Sequence, residues 1–113
     1  MQKSYIIKVP ASSANLGSGF DSIGLCLDIW NEIEFYEGAF SIKNLGFGNS
    51  TLATNKNNLI YKSYLKTNEL IGKKNIDLSI ISNNKIPIYG GLGSSSAAVI
   101  SGILMAFKIN NRI

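Results

Sequence analysis

The sequence predicts an α+β domain, and three observations carry that prediction. Period-two alternation of apolar residues runs through the early part of the chain, helical three- and four-residue spacing appears twice later, and glycine-containing turns separate the segments. In chain order the segments read strand, strand, strand, helix, strand, helix, which is an α+β arrangement. At 113 residues, 45% of them hydrophobic, the chain is long enough for one domain with its own core and too short for two large ones.

Residues 4–9 are rich in β-branched and aromatic side chains and stop at Pro10, which predicts the first strand. The polar loop ASSANLGSGFDS follows. Ile23, Leu25, Leu27, Ile29, Ile33 and Phe35 all occupy odd positions, so one face of a long or broken strand meets a core. A weaker third strand covers residues 40–45, and residues 46–58 form a loop of small and polar residues. Asn58 is placed to cap a helix that carries Ile60, Tyr61, Tyr64, Leu65 and Ile71 on one side and stops at Gly72. Residues 76–82 predict a fourth strand and residues 83–93 a turn-like segment. From Ser94 to Phe107 the sequence predicts a buried helix opened by a serine cap. Its apolar residues Val99, Ile100, Ile103, Leu104 and Phe107 span more than one face and need cover on both sides, so the chain is expected to be a fragment of a longer protein.

Composition narrows the function classes. The longest apolar stretch, residues 97–107, is broken by Ser101 and Gly102 and is shorter than the roughly 20 residues a membrane helix needs. The basic N-terminus imitates a signal peptide, but Lys8 and Pro10 interrupt its apolar centre, so it reads as the start of the folded chain. The single cysteine, Cys26, forms no internal disulfide, and without histidine the usual zinc ligand sets are excluded, which fits a cytoplasmic setting. Net charge is +4, concentrated in the second half. The basic residues form no block and carry no RNA-binding aromatic motif, so neither nucleic acid nor membrane is expected as a partner.

Two loops hold the residues suited to chemistry. In IPIYGGLGSSSAAVISG, glycines and serines lie between a strand and a helix start. Glycine lets the backbone approach a ligand closely, and the first amides of the following helix lack partners within it, a combination suited to phosphate. Ser94, Ser95 and Ser96 add hydroxyls for phosphate oxygens or Mg²⁺. An ordinary glycine-rich turn followed by a cap would look similar. Walker, dinucleotide and serine-hydrolase patterns all fail here: no GK[ST], no GxGxxG, no GxSxG and no histidine base occur. In the second loop, PASSANLGSGFDSIGLCLD, Asn15 and Asp21 are polar groups among small or apolar neighbours. They suit either a ligand's amine or hydroxyl or local stabilisation of the turn.

Together the two loops resemble the homoserine kinases of the GHMP kinase superfamily. PASSANLGSGFDSIGLCLD is similar to that family's first motif, and PIYGGLGSSSAA to its PxxxGLGSSAA nucleotide loop, in matching order and spacing. The resemblance implies the GHMP kinase N-terminal domain, a fold shared with domain 2 of ribosomal protein S5. It implies that Pro87, Ile88, Tyr89, Gly90, Gly91, Leu92, Gly93, Ser94, Ser95, Ser96 and Ala97 wrap the phosphates of ATP, with Ser95 the serine nearest Mg²⁺. Asn15 and Asp21 would bind L-homoserine, and Asn58 is a candidate for the adenine side. No general base is identified. Ser96 stands where many members have Ala, and Tyr89-Gly90 replaces a commonly basic or small pair. The resemblance further implies an acidic Mg²⁺ ligand, a third glycine-rich motif and a second domain beyond Ile113, and it is compatible with a homodimer when full-length. Kinases for other small alcohols, and a non-catalytic S5-like nucleic-acid-binding domain, are the competing readings. The Asn15 and Asp21 pair argues against the latter, which has no use for two such polar groups in a loop of small and apolar residues.

Overall fold

The computed structural model describes residues 3–13, 25–88 and 93–111. Its elements are β1 (Ser4–Ser13), β2 (Leu25–Glu37), β3 (Ser41–Gly46), α1 (Leu59–Ile71), β4 (Leu78–Asn84) and α2 (Ser94–Ile109), in the predicted order. The strands form one sheet in the order β1-β2-β4-β3. β2 pairs antiparallel with both β1 and β4, whereas β3 pairs parallel with β4. A parallel pair needs a crossover connection, and α1 supplies it between β3 and β4.

Side chains alternate across the sheet, so Ile7 and Val9, Ile33 and Phe35, Ile42, and Leu78 and Ile80 face inward and are buried. Ile60, Tyr61 and Tyr64 from α1 and Met105 and Ala106 from α2 close the same core. Full burial of a side chain such as Phe35 stabilises the fold by roughly 1.5–3 kcal/mol. Phe40 meets Tyr61 edge-on at 4.7 Å between ring centroids, and Tyr5 stacks on Phe35 at 5.2 Å.

Four sequence expectations are corrected by particular contacts. β1 continues through Pro10 to Ser13, because β1 is an edge strand and the missing Pro10 N–H removes no ladder bond. The register shifts immediately afterwards: Pro10 pairs with Trp30 but Ala11 with Leu27, leaving Asp28 and Ile29 as a bulge, so the second strand is both long and broken. β4 begins at Leu78 instead of residue 76, since the backbone N–H and C=O of Ile76 are both taken by the Tyr64 hydroxyl, at 3.1 and 2.9 Å. It also runs on to Asn84, two residues into the segment read as a turn. Finally, α2 is not opened by a serine cap: the cap residue is Gly93 and no side chain caps the helix.

The two helix boundaries around α1 are as expected. Asn58 Oδ1 accepts from Ile60 N at 2.9 Å, and Gly72 ends the helix in the left-handed region at φ 71°. α2 buries a stripe of small residues, Ala97, Ser101, Gly102 and Ala106, together with Met105. A Cβ at Gly102 would run into Ile60 O of α1, so the glycine sets the closeness of the two helices. Ser63 Oγ donates to Val99 O across that contact at 2.6 Å. Val99 and Ile100 remain exposed on the opposite side. Among the described residues no helix is long and apolar enough to cross a membrane.

Candidate functional site

The inward face of the sheet changes character toward one end. Along β4 the inward positions run Leu78, Ile80, Ser82, Asn84; along β3 they run Ile42, Asn44; along β2, Phe35, Ile33, Asn31. Apolar residues that meet the helices give way to the buried polar side chains of Asn31, Asn44, Ser82 and Asn84. Above this polar end lies a cavity of about 350 Å³. Its wall is completed by Thr51, Leu52 and Ala53 of the loop after β3, by Asn57 and Asn58 before α1, by Ile86 and Ile88 after β4, and by Ser94, Ser95 and Ala98 of α2.

The N-terminus of α2 opens on this cavity. Gly93 has φ 79°, in the left-handed region that side chains resist, and a Cβ there would come within 2.5 Å of Ser12 Oγ on β1. The first intrahelical bond runs from Ala97 N to Gly93 O at 2.8 Å. The amides of Ser94, Ser95 and Ser96 therefore precede the helical ladder, no side chain caps them, and the first turn holds no acidic residue. Unpaired N–H groups and the positive end of the helix dipole attract an anion. Ser94 is half-buried and Ser95 exposed, and both line the cavity; Ser96 is exposed.

The remaining candidates divide three ways. Pro87 and Ile88 are half-buried between β4 and α2, with Ile88 on the cavity wall. Ala97 is buried among Val9, Ala11 and Ile86, so its side chain packs the core beneath the helix start. Asn58 lines the cavity, but its amide is engaged on both sides: Oδ1 caps α1 and Nδ2 donates to Ala53 O at 2.8 Å. Asn15, Asp21, Tyr89, Gly90, Gly91 and Leu92 lie outside the described residues.

Sequence reasoning passed over Asn31, Asn44 and Asn84. Asn31 Oδ1 accepts from Ile86 N at 2.9 Å and holds the chain as it leaves β4. Asn44 Nδ2 donates to Leu52 O and Ala53 O, at 3.4 and 3.3 Å, which fixes the loop over the cavity. Asn84 Oδ1 accepts from Ser82 Oγ at 2.7 Å. That leaves Asn44 Oδ1 and Asn84 Nδ2 buried without a partner among the described residues. The signal was present in the alternation itself, where inward positions of three strands turn polar at one end.

Comparison with known proteins agrees with this architecture. Residues 58–112 match the family of GHMP kinases N terminal domain. Homoserine kinase from Caldanaerobacter subterraneus subsp. tengcongensis is 42% identical over 109 residues, covering 95% of this chain and 35% of that protein. The chain thus spans about a third of the length of the curated relatives it matches. The crystal structure of homoserine kinase from Cytophaga hutchinsonii superposes with a TM-score of 0.82 at 25% identity, covering 99% of this chain and 37% of that one. Mevalonate kinase from Methanococcus jannaschii shares the fold, with a TM-score of 0.76 at 23% identity over 98% of this chain and 42% of its own. The α+β architecture, the helix start that follows a left-handed glycine and the sequence matches converge: residues 58–112 match the N-terminal domain of the GHMP kinases, and the chain has the fold of that domain.

Proposed function

We propose that the full-length protein is a cytoplasmic kinase that transfers the γ-phosphoryl group of ATP to the side-chain hydroxyl of L-homoserine, giving O-phospho-L-homoserine in the route to threonine. The observation that carries this reading is the uncapped start of α2 behind Gly93, opening on a cavity walled by Ser94 and Ser95. The relatives at about 40% identity are named homoserine kinases, which supports the choice of acceptor.

Phosphoryl transfer depends on positioning and charge neutralisation more than on covalent chemistry. The fit to ATP rests on the donors present: three helix-start amides and two serine hydroxyls beside a cavity large enough for a nucleobase. In this reading the amides of residues 94–96 hold phosphate oxygens, and the exposed Ser95 hydroxyl offers an oxygen to Mg²⁺, which neutralises phosphate charge when bound. Asn15 and Asp21 orient homoserine through its polar groups. Asp21 acts in binding, since an ionised aspartate with an ordinary pKa near 3.9 is a weak base toward an alcohol.

The test is phosphorylation by the full-length protein, with homoserine compared against mevalonate, galactose and other small alcohols. Homoserine giving the highest kcat/KM supports the assignment; a higher kcat/KM for another alcohol replaces the acceptor, and no ATP-dependent product with any of them overturns the kinase reading.

A further inference from the structure

The segments assigned to the two substrates join the described structure at neighbouring points. The acceptor segment follows Ser13 and rejoins the sheet at Leu25, and those two residues form the last pair of the β1–β2 ladder. Ser12 pairs with Cys26 and Ala11 with Leu27, so the end of β1 is held on β2 beyond the bulge. The phosphate segment enters α2 at Gly93. Ser12 lies directly against this glycine: its Oγ, O and N are 2.5, 3.2 and 3.4 Å from where a Cβ on Gly93 would stand. Beside that contact, Ala11 and Ala97 are buried in one small cluster with Val9 and Ile86. The junction of β1 with the start of α2 is thus built from Ala11, Ser12, Gly93 and Ala97. Close-packed groups of this size pass on a change in volume instead of absorbing it.

Resting on the kinase reading above, we infer that Ser12 is a positioning residue that spaces the acceptor segment from the phosphoryl donor and so selects the length of the acceptor. Transfer needs the reacting atoms about 3–3.5 Å apart, and a misplacement of about 1 Å costs as much as a hundredfold in rate. In that reading the amides behind Gly93 hold the phosphates, while Asn15 and Asp21 hold the polar groups of the amino acid. Ser12 is where the described parts of the two segments bear on each other. A larger side chain at this position separates them, and a smaller one lets them close. Homoserine carries its hydroxyl on a two-carbon arm; serine has one carbon fewer and δ-hydroxynorvaline one more. The spacing at Ser12 matches the two-carbon arm, and either neighbour in the series misplaces its oxygen. The role is steric, and Ser12 acts through Gly93.

The experiment measures kcat/KM of the full-length protein for serine, homoserine and δ-hydroxynorvaline with ATP, alongside ATP binding by calorimetry. Ser12→Val is expected to raise the ratio of δ-hydroxynorvaline to homoserine at least about tenfold, the worth of one methylene in a fitted site, with ATP affinity changed less than about threefold. Ser12→Ala is expected to raise the ratio of serine to homoserine at least about threefold, and it decides the matter if Ser12→Val does not fold. Thermal unfolding accompanies both variants. A merely structural role for Ser12 would lower the unfolding temperature and leave the acceptor ratios where they were. Unchanged ratios in a folded variant, shifts in the opposite sense, or an equal loss with all three acceptors overturn the positioning role and leave the kinase reading standing. Loss of ATP binding in step with activity overturns it too, by confining Ser12 to the nucleotide side. No phosphorylation of any acceptor by the unmutated protein overturns both.

Discussion

Gly93 combines a left-handed backbone with close packing against β1. Its φ of 79° and the Ser12 oxygen 2.5 Å from where a Cβ would stand both exclude a side chain. Gly93→Val is therefore expected to abolish ATP binding by the full-length protein while homoserine binding survives, measured by calorimetry with each ligand. Unchanged ATP affinity would remove the start of α2 from the nucleotide site. Asp21→Asn deletes a charge assigned to the substrate's ammonium while keeping shape. A charged hydrogen bond contributes about 1.5–3 kcal/mol, so KM for homoserine should rise roughly tenfold or more with KM for ATP little changed. An unchanged KM for homoserine returns Asp21 to a role in holding its own turn. The glycine and serine pattern around residues 90–96 was legible because it is contiguous. Asn44 and Asn84 were not, because 40 residues of chain separate two atoms whose shared isolation exists only after β3 and β4 pair.

At the scale of elements, α1 is held at both ends by residues the sequence displays, the Asn58 cap and the left-handed Gly72. Its first turn adds a pH dependence. The phenol of Tyr61 is pushed above the usual tyrosine value of 10.0, first by burial, then by the negative charge of Asp77, then by Tyr64. The folded state thus holds that proton more tightly than the unfolded state. The resulting stability is fully present below pH about 10 and is lost as pH rises through the folded value. Urea unfolding followed from pH 8 to 11 is expected to show falling stability above pH 10, with Tyr61→Phe giving a shallower decline. An identical decline in the variant would assign the effect to other groups. The helix and strand types followed from periodicity alone, while their ends moved wherever a tertiary contact competed. Ile76 left the strand because Tyr64 captured its backbone, and α2 took Gly93 as its cap in place of a serine.

At the scale of the molecule, the sheet and two helices form a core, yet α2 keeps Val99 and Ile100 in solvent, at 37% and 45% exposure. Adjacent apolar residues on one helix face promote association when nothing covers them. The 113-residue chain by itself, spanning about 35% of a curated relative's length, is expected to self-associate in light scattering and to show no turnover of homoserine. A monodisperse monomer with turnover equal to that of the full-length protein would refute both expectations. The sequence by itself determined the α+β class and the order of the six elements, because alternation, helical spacing and glycine placement are local properties of consecutive residues. Tertiary structure alone decided the parallel pairing of β3 with β4, the bulge opposite Pro10, and the cavity that joins three strands, a loop and two helix starts. Those features depend on which segments become neighbours, and hydrogen bonding between strands distant in sequence leaves no periodic trace within either of them.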